Sequence, residues 1–153
     1  ESRRFFLCQK FKGEIKMSTY GPLKKRSVTS GAAFAQFEPL KSTTEGTDGQ
    51  ELTVIKSSAT SSVIIGVALD SATAAGQGVE MALPGSVVLM RVGSGGVTKD
   101  DYVGIDGSDA TEIATLTLSG SGTTNRQVLG IALRTGVSND LIPVMFNPFI
   151  TQV

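Results

Sequence analysis

Val79-Glu80-Met81-Ala82-Leu83-Pro84-Gly85-Ser86-Val87-Val88-Leu89-Met90-Arg91-Val92 decides the fold class. Val79, Met81 and Leu83 fall on one side of an extended chain and Glu80 and Ala82 on the other. That alternation is the period of a strand with one buried face. Pro84-Gly85 breaks the chain. The Val-rich run from Ser86 to Val92 then starts a second strand.

The same pattern continues on both sides. Val54-Ile55-Lys56 is short and apolar, and Ser62 to Leu69 is rich in β-branched residues between turn formers. Tyr102-Val103-Gly104-Ile105 leads into Asp106-Gly107, a hairpin-type turn. In Ile113-Ala114-Thr115-Leu116-Thr117-Leu118 the even positions are apolar and the threonines face the other way. Val128 to Leu133 and Ile142 to Phe146 complete the series, with polar loops at 93–96 and 120–125. Helix is scarce, and its best candidates are short turns near Ala32–Gln36 and Ser71–Ala75. These elements predict a mainly β chain: a small single-domain barrel or sandwich-like fold with short helical turns. An extended arm, residues 1–27, would precede a β-rich domain, 28–153.

One echo runs through the body. Ile65-Gly66-Val67-Ala68-Leu69 precedes the apolar strand at 79–83, and Leu129-Gly130-Ile131-Ala132-Leu133 precedes the apolar segment at 142–146. Gly within a strand marks a bulge or a close backbone approach. The echo predicts two similar hairpins facing each other across one core; chance similarity of two buried strands is the other reading.

Composition removes most enzyme chemistry. The 153 residues hold no His and one Cys, so no Ser-His-Asp triad, Cys-His dyad, His-ligated metal or internal disulfide can be built. The apolar run at 5–8 is too short for a signal-peptide core, and no stretch approaches a membrane span. The expectation is a soluble product of a reducing cytoplasm, with no enzyme activity, cofactor or metal. Met17-Ser18-Thr19 reads like a protein start, so residues 1–16 are expected to be translated leader, an extended product or a mis-called start.

Charge is divided along the chain. Residues 1–26 carry eight basic and two acidic side chains, and the remainder, with 6 basic and 12 acidic, is net −6. One reading is an arm that lies on an acidic partner surface, anchored by Phe5, Phe6 and Phe11 beside Lys24, Lys25 and Arg26. The other is a solvated terminus. The acidic body argues against nucleic acid.

The chemical motifs fail on spacing. Gly93-Ser94-Gly95-Gly96-Val97-Thr98-Lys99 has Thr98 where a phosphate loop or a dinucleotide fingerprint needs Gly, so it reads as a hairpin loop. Asp100, Asp101, Asp106, Asp109 and Glu112 are close enough in sequence to suggest Ca²⁺ or an acid–base pair. They lack the EF-hand spacing and read as solvated turns. The hairpin at 79–83 lacks the tip Lys of a biotin carrier. Cys8, beside cations, has no His partner and reads as passive.

The order of these segments resembles the small capsid cement (decoration) proteins of tailed bacteriophages. The resemblance rests on Gly31-Ala32-Ala33-Phe34, Ile65 to Ala72, Ala75 to Gly85, the Val-rich strand at 86–92, Val97 to Val103 and the return strand at 129–133. It covers about residues 28–146. Asp100-Asp101 stands where that family often has Gly-Asp.

It implies a β-rich protein without an active site, on the outer capsid surface of a virion, stapling neighbouring major capsid proteins against DNA pressure. It also implies a homotrimer at three-fold or quasi-three-fold positions, with neither nucleic acid nor membrane as partner. Many copies on a lattice gain by multivalency. The expected contact residues are Phe5, Phe6, Phe11, Lys24, Lys25 and Arg26 of the arm and Phe146 and Phe149 near the end; core packing is the other reading of the last two. Another repetitive phage part, a tail tube or fibre, is the competing assignment. A glycan-binding module fits less well, because Trp is absent and aromatics are 6%.

Overall fold

The structure is a computed structural model that describes residues 23–43, 52–60, 62–118 and 125–152. Its regular elements are β1 (Lys25–Ser30), β2 (Pro39–Ser42), β3 (Thr53–Lys56), β4 (Gly66–Ala68), β5 (Gly78–Ala82), β6 (Ser86–Arg91), β7 (Tyr102–Ile105), β8 (Ile113–Thr115), β9 (Asn125–Ala132) and β10 (Leu141–Gln152). The mainly β expectation holds, and the described residues contain no helix. The segments expected to form helical turns are instead tight turns joined by a bridge between Phe34 and Ala72. Each residue's main-chain N–H donates to the other's carbonyl at 2.9 Å, so their backbones pair as strands do.

The first five strands form a closed barrel in the order β1-β3-β2-β4-β5, and the last five a sheet in the order β6-β10-β9-β7-β8. Pro84-Gly85, which reads as a hairpin break, passes the chain from one to the other. The second sheet nearly closes as well. Val92, just past β6, bridges Ile113 of β8 in parallel, and Gly93 N–H donates to the Ile113 carbonyl at 2.8 Å. Closure removes the open strand edges that invite aggregation.

The two halves share one topology. Taken as rings, with β6 matched to β1 and so on to β10 with β5, the strand orders are the same, down to the parallel contact of first with third strand. Main-chain bonds recur in matched pairs. Phe37 N–H donates to Ala68 O, and Asp100 N–H to Ala132 O. Gly76 N–H donates to Ser30 O, and Asn139 N–H to Val92 O.

Four turns share one design. The strand-leading Glu38, Gln77, Asp101 and Asp140 accept from the N–H three residues earlier, at 3.1, 3.4, 3.1 and 3.1 Å. The residue just before each acceptor, Phe37, Gly76, Asp100 or Asn139, has φ between 69° and 82°. A short polar side chain that satisfies a nearby N–H is what fixes such a turn. The echoed hairpins are thus matched strand pairs, β4 with β5 and β9 with β10, inside a full tandem repeat.

Two apolar clusters hold the body. Val28, Phe34, Leu40, Val54, Ala68, Ala72, Val79 and Met81 fill the first barrel. The larger cluster fills the second sheet with Met90, Val103, Ile113, Ala132, Ile142, Val144 and Phe146, and extends to Ile64, Val67 and Ala82 on the outside of the first barrel. The echo therefore does face a shared core. An amide reinforces this joint: Gln127 Oε1 accepts from Ile64 N–H at 2.6 Å and its Nε2 donates to Ile64 O at 3.0 Å.

Candidate interaction surfaces

Phe5, Phe6 and Phe11 lie outside the described residues. The basic residues that follow are partly inside the fold. β1 starts at Lys25, so the boundary expected after residue 27 falls within a strand. Sequence alone hides this strand because only Val28 and Ser30 of Lys25-Arg26-Ser27-Val28-Thr29-Ser30 are buried. Lys24 is fixed by its backbone. The buried Ser86 hydroxyl accepts from Lys24 N–H at 2.9 Å and donates to Lys24 O at 3.1 Å. Lys25 is not a free cation, since its Nζ lies 2.8 Å from Glu80 Oε1 in an exposed ion pair. Such a pair contributes at most about 1 kcal/mol. Lys24 and Arg26 are exposed.

The two phenylalanines near the end separate. Phe146 is 0% exposed and belongs to the core, so it has no surface to offer a partner. It continues the inward row of Ile142 and Val144 along β10. Phe149 is 43% exposed. It lies beyond a register shift at Asn147-Pro148, where β10 bulges against β9 and runs on past the end of β6. Its ring meets Tyr102 edge to face, centroids 6.1 Å apart, a favourable aromatic geometry.

Tyr102 and Met145, which sequence reading did not single out, are also exposed. Both are register partners of Ile131, so Met145, Ile131 and Tyr102 form one outward row across β10, β9 and β7. The sequence carries little signal for it, because the outward residues here are as apolar as the inward ones.

The acidic cluster is occupied with its own turns. Asp106 Oδ1 accepts from Ser108 N–H at 2.7 Å and Oγ–H at 2.6 Å, and Asp109 Oδ1 from Thr111 N–H at 2.8 Å and Oγ1–H at 2.7 Å. Asp101 Oδ2 also accepts from Thr115 Oγ1–H at 2.8 Å. Among the described residues no three His, Cys, Asp or Glu side chains are placed to share a metal ion.

These bonds set the titration order. Burial pushes the Asp106 carboxyl up, but the Ser108 hydroxyl and the Ser108 and Asp109 N–H groups outweigh it and leave it below the ordinary value. The Thr111 hydroxyl and N–H hold Asp109 low, chiefly by hydrogen bonding. Glu112 is raised by burial and by the Asp109 charge. The two lowered aspartates contribute stability that is complete above the ordinary aspartate value of 3.8 and is lost as pH falls through their own lower values. Glu112 acts oppositely and favours the folded state below the ordinary glutamate value of 4.5. In a carboxyl-carbon NMR titration, Asp106 and Asp109 should show midpoints below those of the same residues in the unfolded chain, and Glu112 above. An ordinary midpoint for Asp109 would mean that its turn does not hold in solution.

No protein-family model matches the chain, and no curated protein matches it either. Among solved structures, the fold is similar to the N base of the head fibre gp8.5 in bacteriophage phi29. The TM-score is 0.58 at 13% sequence identity, over 82% of this chain and 95% of that one. At this identity the likeness concerns the fold.

Proposed function

We propose that the chain is a structural protein of a tailed-phage head, bound to the outer surface of the capsid and stapling neighbouring major capsid proteins. The observation that carries the head assignment is the likeness to the phi29 head-fibre N base over most of both chains. The segment order that resembles capsid cement proteins supports it independently. A stapling protein needs surface complementarity and no general base, which suits a chain without His. The major capsid protein and further copies of the chain itself, as a homotrimer, are then its partners. The contacts fall to the N-terminal basic segment and to Phe149.

The same likeness favours a second reading, in which this body is the base that seats a fibre on the head. Copy number separates the two. Heads purified from the native source, with this chain counted against the major capsid protein, should give near-equal numbers for a cement protein. A count several-fold lower, still on the head, would select the fibre base. Absence from heads would overturn both.

A further inference from the structure

Among the described residues, the tandem repeat leaves one of its two equivalent faces uncovered. In the first barrel an outward row runs through Pro39, Val67, Ala82 and Lys25, register partners on adjacent strands. Val67 and Ala82 are fully buried, because together with Ile64 they cluster with the second sheet. The matching row of the second sheet is Tyr102, Ile131, Met145 and Val87. None of the four is charged, and among the described residues none closes over them: Tyr102 is 39% and Met145 44% exposed, with Phe149 beside them, and Ile131 and Val87 are half-buried.

The complementary half of the joint is also duplicated. The first barrel is received at Gln127, which binds the Ile64 backbone, on the part of the second sheet where Leu129 and Phe146 also lie, in one apolar cluster with Ile64, Val67 and Ala82. Leu83, Ile65 and Val63 occupy the matching positions of the first barrel. Val63 is 58% exposed, and Leu83 and Ile65 are half-buried. Each molecule therefore contains one completed joint and the two unmatched halves of another. Core interface positions are depleted in charge, as both halves are here.

We propose that the Tyr102–Met145–Phe149 face of one copy docks on the Val63–Ile65–Leu83 end of a second copy, repeating between molecules the joint that links the two halves within one. The contact is head-to-tail, so it builds a ring if the rotation closes and a filament if it does not. The inference rests on the internal repeat and not on the phage assignment, and the purified full chain suffices to test it.

Light scattering on a sizing column should show the wild type as a multimer. Met145→Glu and, separately, Val63→Glu each place a charge in one half of the joint at an exposed position. Each should weaken association by about tenfold or more, as loss of a central contact does, with thermal melting nearly unchanged. A mixture of the two variants should recover a dimer, since each keeps one intact half. Val137→Glu, at a turn residue 68% exposed and outside both halves, should remain multimeric. A monomeric wild type, as expected if the chain's own N-terminal segment covers the face, would overturn the proposal. So would a Met145→Glu protein that associates like the wild type, or a mixture that stays monomeric.

Discussion

Phe146→Ala will lower the stability of the folded chain by about 3–5 kcal/mol, the range for removing a fully buried phenylalanine from a packed core. The side chain is 0% exposed and sits in the cluster that includes both the second-sheet interior and Val67 and Ala82 of the first barrel. The cavity would therefore open in the larger of the two apolar clusters, to which both halves contribute. In urea or guanidinium denaturation the midpoint should fall sharply. Phe149→Ala, at a ring 43% exposed, should cost about 1 kcal/mol or less. Equal losses at the two positions would mean that Phe146 is not the core residue described here.

Gly130→Ala should be comparably damaging for the opposite reason. A Cβ at Gly130 would lie 2.0 Å from the Met145 carbonyl oxygen and 2.9 Å from its carbon. Both are backbone atoms of the paired strand, so no rotamer change can relieve the overlap. β9 and β10 would have to separate where Phe146 opposes Gly130. Overpacking of this kind costs about 1–3 kcal/mol, and more when the obstacle is backbone. A Cβ at the matched Gly66 would lie 2.7 Å from the Ala82 carbonyl oxygen and against the flexible Met81 side chain, so part of the overlap can be released. Gly66→Ala should accordingly destabilise less than Gly130→Ala. Gly107→Ala, with nothing within 4 Å of the added carbon, serves as the reference in the same chemical denaturation series. A Gly130→Ala protein as stable as Gly107→Ala would show that the two strands do not approach this closely.

The strands that sequence reading places well are those whose apolar residues are consecutive or alternate. Tyr102–Ile105 is found as expected, and 79–83 and 86–92 agree with β5 and β6 to within one residue at either end. The failures have separate physical causes. β1 is a polar string with one face buried by two residues, so it reads as part of an arm. β10 extends six residues past Phe146 because Asn147-Pro148, which looks like a stop, is absorbed as a bulge. The strand expected at 113–118 is regular only to Thr115, although Leu116 N–H still donates to Tyr102 O at 2.8 Å as the next rung of the β7–β8 ladder.

The repeat was visible only along 65–69 and 129–133, which share Gly, Ala and Leu at matched positions, the Gly where the strands approach closely. Elsewhere the two halves conserve chemistry loosely, as with Glu38, Gln77, Asp101 and Asp140, which do one job with three residue types. Of the candidate contacts, exposure at Lys24 and Arg26 was legible, whereas Phe149 was left open between surface and core. The burial of Phe146 and the Tyr102–Met145 row depend on which way each strand faces, which near-continuous apolar runs do not encode.

The order of pairing has a consequence for synthesis on the ribosome. Among the described residues, every strand partner of β1 to β5 lies within 25–82, and every strand partner of β6 to β10 between 86 and 152. The first half can close while the second is still being translated, and in the second half β6 alone waits for the last strand, β10. Until the second half emerges, however, Val67 and Ala82 stay bare. The nascent chain thus passes through a stage with an adhesive side, and translation speed across the codons of the second half sets how long that stage lasts.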